Sequence, residues 1–336
     1  MEGRARARSA FTLIELLVVI GIIAILIGIL LPSLGAARRE ARAIKCGAHM
    51  KSIAAAVQVY ATDYRHYPPA YVYGAAQTGG EWFVKDQLET NPTPANGYVH
   101  WSWMLFGGDE KESDAGEAFE CPQVTSGGAP RSNPGAEPRD WEDWQVNDTG
   151  GTIGTVTPHD RQVKRVAFTG NAAIFPRNKF DQGTLRKNRL VREGEVDESS
   201  TMILATEFLD FDSWRSLADP ANNIVKSHRP ITPFYGLSAG TNVYLEPPFG
   251  SSPRFVYPAK QTIFQDNQVG PNMINASNSI LNAIGRHHPG SRANFIYVDG
   301  HIERDTILNT IKNRRWGQRF YSITGPNNVD LEKNTF

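Results

Sequence analysis

Cysteine is almost absent from this chain: its 336 residues include two, Cys46 and Cys121. Two thiols exclude a zinc site built on four cysteines and a dense disulfide framework, and leave room for one bridge in an oxidising compartment. An excess of charge is missing too. Lys+Arg and Asp+Glu number 35 each, so no global field draws the chain to nucleic acid, and no nucleic-acid partner is expected. Residues 109–120 hold Asp109, Glu110, Glu112, Asp114 and Glu117 but lack the Asp-x-Asp-x-Asp-Gly spacing of a calcium loop, so a solvated surface loop is expected there. What is plentiful is apolar or turn-forming. A 40% hydrophobic composition with 7 Trp, 11 Tyr and 16 Phe excludes disorder of the whole. The 30 Gly and 21 Pro favour a loop-rich, strand-rich body over a helical bundle. The length allows one large domain or two ordinary ones.

One long apolar run stands out. Phe11–Leu31 reads FTLIELLVVIGIIAILIGILL, polar only at Thr12 and Glu15. As a helix its roughly 21 residues span about 30 Å, the thickness of a bilayer core. A secretory signal peptide has a shorter apolar core and a small-residue cleavage site after it; here Ala36-Ala37 falls inside a continuing helical pattern. In a plain membrane anchor Glu15 has to snorkel from near the end of the span, because an acid at the centre of one costs about 2.5–3.5 kcal/mol. Arg4, Arg6 and Arg8 precede the run and Arg38, Arg39, Arg42 and Lys45 follow it, so charge asymmetry does not set its orientation.

Pro32 lacks an N–H and bends the helix, which then resumes. Cys46, Met50, Ile53, Val57, Tyr60 and Tyr64 recur at spacings of four and three, an amphipathic stripe opposite Lys45, Lys51, Ser52, Gln58 and Asp63. Tyr67-Pro68-Pro69 ends the pattern. The spacing therefore predicts one helix, apolar all round in its first half, that buries one stripe of its second half against a body. His49 flanks the stripe as an ordinary helix histidine.

The string Ser9-Ala10-Phe11-Thr12-Leu13-Ile14-Glu15 and the apolar run behind it closely resemble the N-terminal signal of type IV prepilins and type II secretion pseudopilins. The resemblance implies cleavage between Ala10 and Phe11 by a prepilin peptidase, N-methylation of Phe11, and a fibre in which Glu15 meets the new amine of a neighbouring subunit. Ala10 stands where the family nearly always has Gly, and Pro32 matches the helix-kinking proline of many pilins. It also implies the division of the chain: a cleaved basic leader 1–10, a transmembrane helix 11–31, an amphipathic continuation 32–66, and a globular α+β head 67–336 with an antiparallel sheet and large loop-rich insertions. The protein is then a structural subunit of a secretion pseudopilus or pilus-like fibre. It is not an enzyme and needs no cofactor. It is held in a bacterial inner membrane with its N-terminus cytoplasmic and its head outside the cytoplasm. Its partners are the peptidase, other pilin-like subunits, the inner-membrane assembly platform and the membrane itself. In the same family a cysteine just after the first helix turns recurs with a later Cys-Pro, here Cys121-Pro122, which implies a Cys46–Cys121 disulfide; two buried free thiols are the alternative.

The body offers scattered polar groups for a second reading, a membrane-anchored enzyme or ligand-binding module exported by a pilin-type signal. Val99–Phe106 is a short buried helix or strand, and strands are expected at 163–168, 172–175, 190–192 and 201–206. Glu207, Asp210 and Asp212 follow the last as candidates for an acid or metal cluster, with a strand end carrying solvated acids as the default. Ser238 lies in a Gly-x-Ser-x-Gly string, but Pro233 before it and residues 242–248 after it deny it the strand and helix of a nucleophile elbow. Residues 286–304 contain His287, His288, a strand at 294–298, Asp299-Gly300 as a two-residue hairpin turn, and a return strand from His301. This stretch resembles the C-terminal motif of prepilin-like proteins, a His, nine residues, then Asp-Gly; here residues 289–298 make the spacing one longer. His287 or His288, with Asp299 and His301, are metal-ligand candidates, with a buried histidine hydrogen-bonded near the hairpin as the default. A short helix over 305–315 with Asp305 as its cap, and a loose polar tail from Gly325, complete the expectation.

Overall fold

The computed structural model describes residues 13–74, 97–106, 114–154, 159–178, 180, 187–210, 214–219, 223–236, 254–271, 273–275 and 280–333. Ala10, Phe11, Asp212 and Ser238 lie outside the described residues, as do Asp109, Glu110 and Glu112. Helix α1 (Leu13–Tyr64) is 52 residues long, about 78 Å at the standard rise. It runs through Pro32, where the Ser33 hydroxyl donates to Leu30 O at 2.8 Å. Arg65 takes a φ of 63°, leaving the helix just before Tyr67-Pro68, where the residue ahead of proline is barred from the helical region.

The two halves of α1 differ as their sequences require. From Leu13 to Leu34 every residue is exposed, large Leu, Ile and Val side chains included. From Ala43 onward Ala43, Cys46, Met50, Ile53, Ala54, Val57, Tyr60 and Ala61 are buried. Each large apolar side chain so buried contributes about 1.5–3 kcal/mol. Tyr64 ends the stripe at the surface, stacked on Tyr60 with ring centroids 4.4 Å apart.

The buried stripe meets a four-stranded antiparallel sheet in the order β10-β9-β4-β3, built from β3 (Phe168–Gly170), β4 (Ile203–Glu207), β9 (Ala293–Tyr297) and β10 (Ile302–Asp305). β3, β4 and β9 are buried throughout, while β10, at the edge, is partly buried except at the exposed Glu303. Smaller pairs sit around this sheet: β1 (Tyr71–Tyr73) with β2 (Tyr98–His100), β5 (Ala218–Asp219) with β6 (Ile224–Val225), and β7 (Tyr235–Gly236) with β8 (Phe255–Val256). Helix α2 (Trp101–Phe106) follows β2 directly, so the apolar 99–106 segment is strand first and helix after. The whole is an α+β arrangement whose main core gathers the α1 stripe and the sheet, with a small separate cluster at Val72, Val99 and Phe180.

Several local expectations need correction. Residues 172–175 form a turn rather than a strand: Ile174 and Phe175 N–H both donate to Asn171 O, and Asn171 Oδ1 accepts from Ala173 N–H, closing an Asx turn. The 163–168 run pairs as a strand only from Phe168, and 190–192 contributes a single bridge, His66 with Arg192. The last hairpin turns through three residues, not two. Gly300 N–H donates to Tyr297 O, Tyr297 N–H to His301 O, and Gly300 holds a φ of 84°, a turn closed by a left-handed glycine. Helix α3 (Ile307–Lys312) is capped by Thr306, whose hydroxyl accepts from Asn309 N–H at 3.2 Å; Asp305 instead binds Thr306 N–H and the Asn309 side chain. The tail is not loose through Val329: Asn327 and Val329 are buried, and Val329 bridges Phe255.

Candidate functional site

Polar chemistry concentrates at the joint between α1 and the head. Because Thr206 on β4 faces Phe295 on β9, the next residue, Glu207, lies beside Asn294 and the chain entering β9. Glu207 is fully buried. Its Oε2 accepts from the backbone N–H of Asn294 at 2.9 Å, and its Oε1 accepts from Asn294 Nδ2 at 3.0 Å and lies 2.7 Å from His288 Nε2. His287 Nε2 stands 3.6 Å from Oε2.

The hydrogen bonds fix the orientation of this centre. Gln123 Nε2 donates to the His287 carbonyl, so its Oε1 is the atom that faces His288 Nδ1 at 3.0 Å. An amide oxygen only accepts, so His288 Nδ1 donates to it, while Nε2 faces Glu207 Oε1 at 2.7 Å and Asn294 Nδ2 at 3.0 Å. His288 is thereby held between Gln123 and Glu207. Burial pushes the Glu207 carboxyl up. The hydrogen bond from His288, the two neighbouring imidazoles and the Asn294 N–H outweigh burial and hold the carboxyl below its ordinary value.

Cys46 on α1 is joined to Cys121 by a disulfide, Cα–Cα 5.0 Å, and His287 Nε2 lies 3.7 Å from Cys121 Sγ. Further contacts tie the same region to α1. His49 Nδ1 bonds Glu120 O at 2.7 Å, Asn294 Nδ2 reaches Ala43 O at 3.4 Å, and Arg304 pairs with Glu40 at 2.5 Å. At the turn, Lys51 Nζ donates to Gly300 O at 2.7 Å and Gln58 Nε2 to Asp299 O at 3.1 Å. A Cβ on Gly300 would sit 2.7 Å from Gln58 Nε2, so close docking on α1 and the left-handed φ both call for glycine. The His288 end of the motif thus grips the sheet from within, and its Asp-Gly end grips the long helix.

The candidates named from sequence are regrouped. Glu207 and His288, drawn from two separate clusters, form one buried pair. Asp210 stays apart, accepting from Thr125 N–H at 2.8 Å. Asp299 and His301 bond one another at 2.6 Å in the exposed turn, with β9, about 17 Å of strand, between them and His288. His287, named as the alternative to His288, borders the pair, whereas Asn294 and Gln123 were not picked out by sequence; the one hint was that Asn294 lies within the motif. A second polar centre holds Ser132 and His228, both buried, with His228 Nδ1 2.6 Å from Ser132 Oγ. Ser132 donates to Val225 O at 2.6 Å, so its proton is already committed and His228 donates to it; this is the reverse of a base activating a nucleophile.

These buried groups set an acid dependence. Burial pushes His100 down to about 3 and holds His228 and His287 below the usual histidine range, so all three are neutral in the fold. As pH falls through about 6.5 the unfolded chain takes up protons that the folded chain refuses, and stability drops. Asp160 acts with the opposite sign. Burial lifts it to about 7 against hydrogen bonds from Asn133 and Tyr98, so over the range from about 7 down to about 4 its folded form gains the proton first and stability rises. Three histidines against one aspartate leave two protons, a loss of up to roughly 2.7 kcal/mol per pH unit. Urea midpoints measured at about pH 7 and about pH 5 should fall accordingly; an unchanged midpoint would contradict neutral buried histidines.

Comparison with known families gives two matches. A family model described as a protein of unknown function (DUF1559) matches residues 35–306, and one described as a prokaryotic N-terminal methylation motif matches residues 5–31. No curated protein and no solved structure matches the chain.

Proposed function

The chain belongs to the DUF1559 family and carries a prokaryotic N-terminal methylation motif ahead of the family domain, and from that premise we propose that it is a structural subunit of a pilus-like fibre or type II secretion pseudopilus. A prepilin peptidase cuts between Ala10 and Phe11 and the new amine is methylated. The apolar half of α1 then anchors the subunit in the inner membrane, N-terminus cytoplasmic and head outside, until the assembly platform moves it into a bundle of like helices. The subunit itself is not a catalyst.

The observation that carries this reading is the two-part α1. The half that the head buries continues as one helix into a half whose every side chain, Leu13 to Leu34, is left for another apolar environment. A bilayer supplies that environment before assembly and neighbouring helices supply it after. In the fibre the Glu15 carboxylate meets the Phe11 amine of an adjacent subunit, since each charge alone in an apolar bundle costs several kcal/mol and the pair offsets much of it. Glu15→Ala is expected to leave processing intact and reduce sheared fibre to background when coexpressed with the peptidase and assembly proteins. Wild-type fibre yield from that variant would remove the pairing role.

A further inference from the structure

Four buried side chains of different chemistry converge at the joint. The Sγ atoms of Cys46 and Cys121, a carboxylate oxygen of Glu207 and a ring nitrogen of His288 all lie within 4.8 Å of one another. They arrive from separate parts of the fold: α1, the loop after Phe119, the end of β4 and the approach to β9. Two sulfurs, one imidazole and one carboxylate make up the donor set of a tetrahedral site for a borderline-soft divalent cation. The outer partners such a site needs are also in place. Gln123 holds the second ring nitrogen of His288, and Asn294 binds Glu207 through its backbone and side chain. His287 borders the site 3.7 Å from Cys121 Sγ, and its buried Nδ1 has no hydrogen-bond partner among the described residues.

We propose that this cluster has two exclusive states, a disulfide when oxidised and a Zn2+ site when reduced, with Cys46, Cys121, His288 and Glu207 as ligands. A dithiol reductant passes two electrons and two protons to the S–S bond, gives two thiols and is itself oxidised to a disulfide. Zn2+ entry then displaces both thiol protons, and the two thiolates, His288 Nε2 and a Glu207 oxygen take the metal. Disulfide sulfurs are not thiolates and do not ligate zinc, which makes the states exclusive. Either state fastens α1 to the head at one point, so the joint survives a change of redox compartment. The two cysteines have to part: the sulfurs are bonded in the oxidised form, whereas zinc holds each at about 2.3 Å from the metal, on separate corners of a tetrahedron.

The test uses the full-length protein in detergent, with and without anaerobic reduction by a phosphine, titrated with Co2+ and then Zn2+. The reduced protein is expected to bind one Co2+ with tetrahedral ligand-field bands and a thiolate charge-transfer band, and to yield it to Zn2+; the oxidised protein shows neither band. Absorption fine structure of the Zn2+ form should give two sulfurs near 2.3 Å and two nitrogen or oxygen ligands at about 2.0–2.2 Å. His288→Gln and Glu207→Gln, each first shown to remain folded by its circular dichroism, should weaken Co2+ by at least the roughly 10–100-fold that losing an outer-shell partner already costs. Reduced protein that takes up no Co2+, a site lacking sulfur, or variants that bind as tightly as wild type would each overturn the proposal.

Discussion

Glu207→Ala is expected to destabilise the head by about 3–5 kcal/mol, the cost of removing one partner of a buried carboxylate–histidine pair. The carboxylate is fully buried and meets His288 Nε2 at 2.7 Å, while Asn294 offers it two further donors. Its removal takes the partner from the His288 ring, the Asn294 N–H and the Asn294 side chain together, and each unsatisfied buried donor adds to the loss. Asp210→Ala is the matched control. Asp210 belongs to the same acidic run, but its bonds to Thr125 are at the surface, so its loss should stay within about 1 kcal/mol. Urea unfolding of the two variants should separate them by several-fold in midpoint shift; equal shifts would mean that the buried pair does not hold the joint.

The second large effect belongs to the disulfide. Cys121→Ser opens a loop of sequence separation 75, worth about 4 kcal/mol in the chain-entropy model. Both cysteines are completely buried, one on α1 and the other in the head, so the bond's loss should act on the docking of helix to sheet. Measured with a chelator present, Cys121→Ser and chemically reduced wild type should unfold at nearly the same lowered denaturant concentration. A variant as stable as the oxidised wild type would mean that the Glu207–His288 pair and the apolar stripe suffice to fasten α1.

The long helix was legible because its signals are local. Residues Cys46 to Tyr60 repeat at helical spacing, and the run from Leu13 to Leu31 is uniformly apolar, so each stretch declares its own surroundings. The β9–β10 hairpin was legible for the same reason, through Asp299-Gly300. Its three-residue geometry was not, because whether Val298 pairs or turns depends on register with β4. The polar centre was out of reach. Glu207 and His288 are joined by a strand pairing across more than eighty positions, and no periodicity links them. Each was grouped instead with its sequence neighbours, Asp210 and Asp212 in one case and Asp299 and His301 in the other. Thr306 displaced Asp305 as a helix cap by one position, since both side chains are capable caps and the tertiary setting chooses between them.

A pilin-type subunit is defined by the chemistry at Phe11, and intact mass with fragmentation of the N-terminal peptide reads it directly. Protein isolated from membranes of its own host, or coexpressed with a prepilin peptidase, should begin at N-methylated Phe11 with the leader from Met1 to Ala10 absent. An intact leader, or a chain cut after Leu31 and released from the membrane, would contradict it.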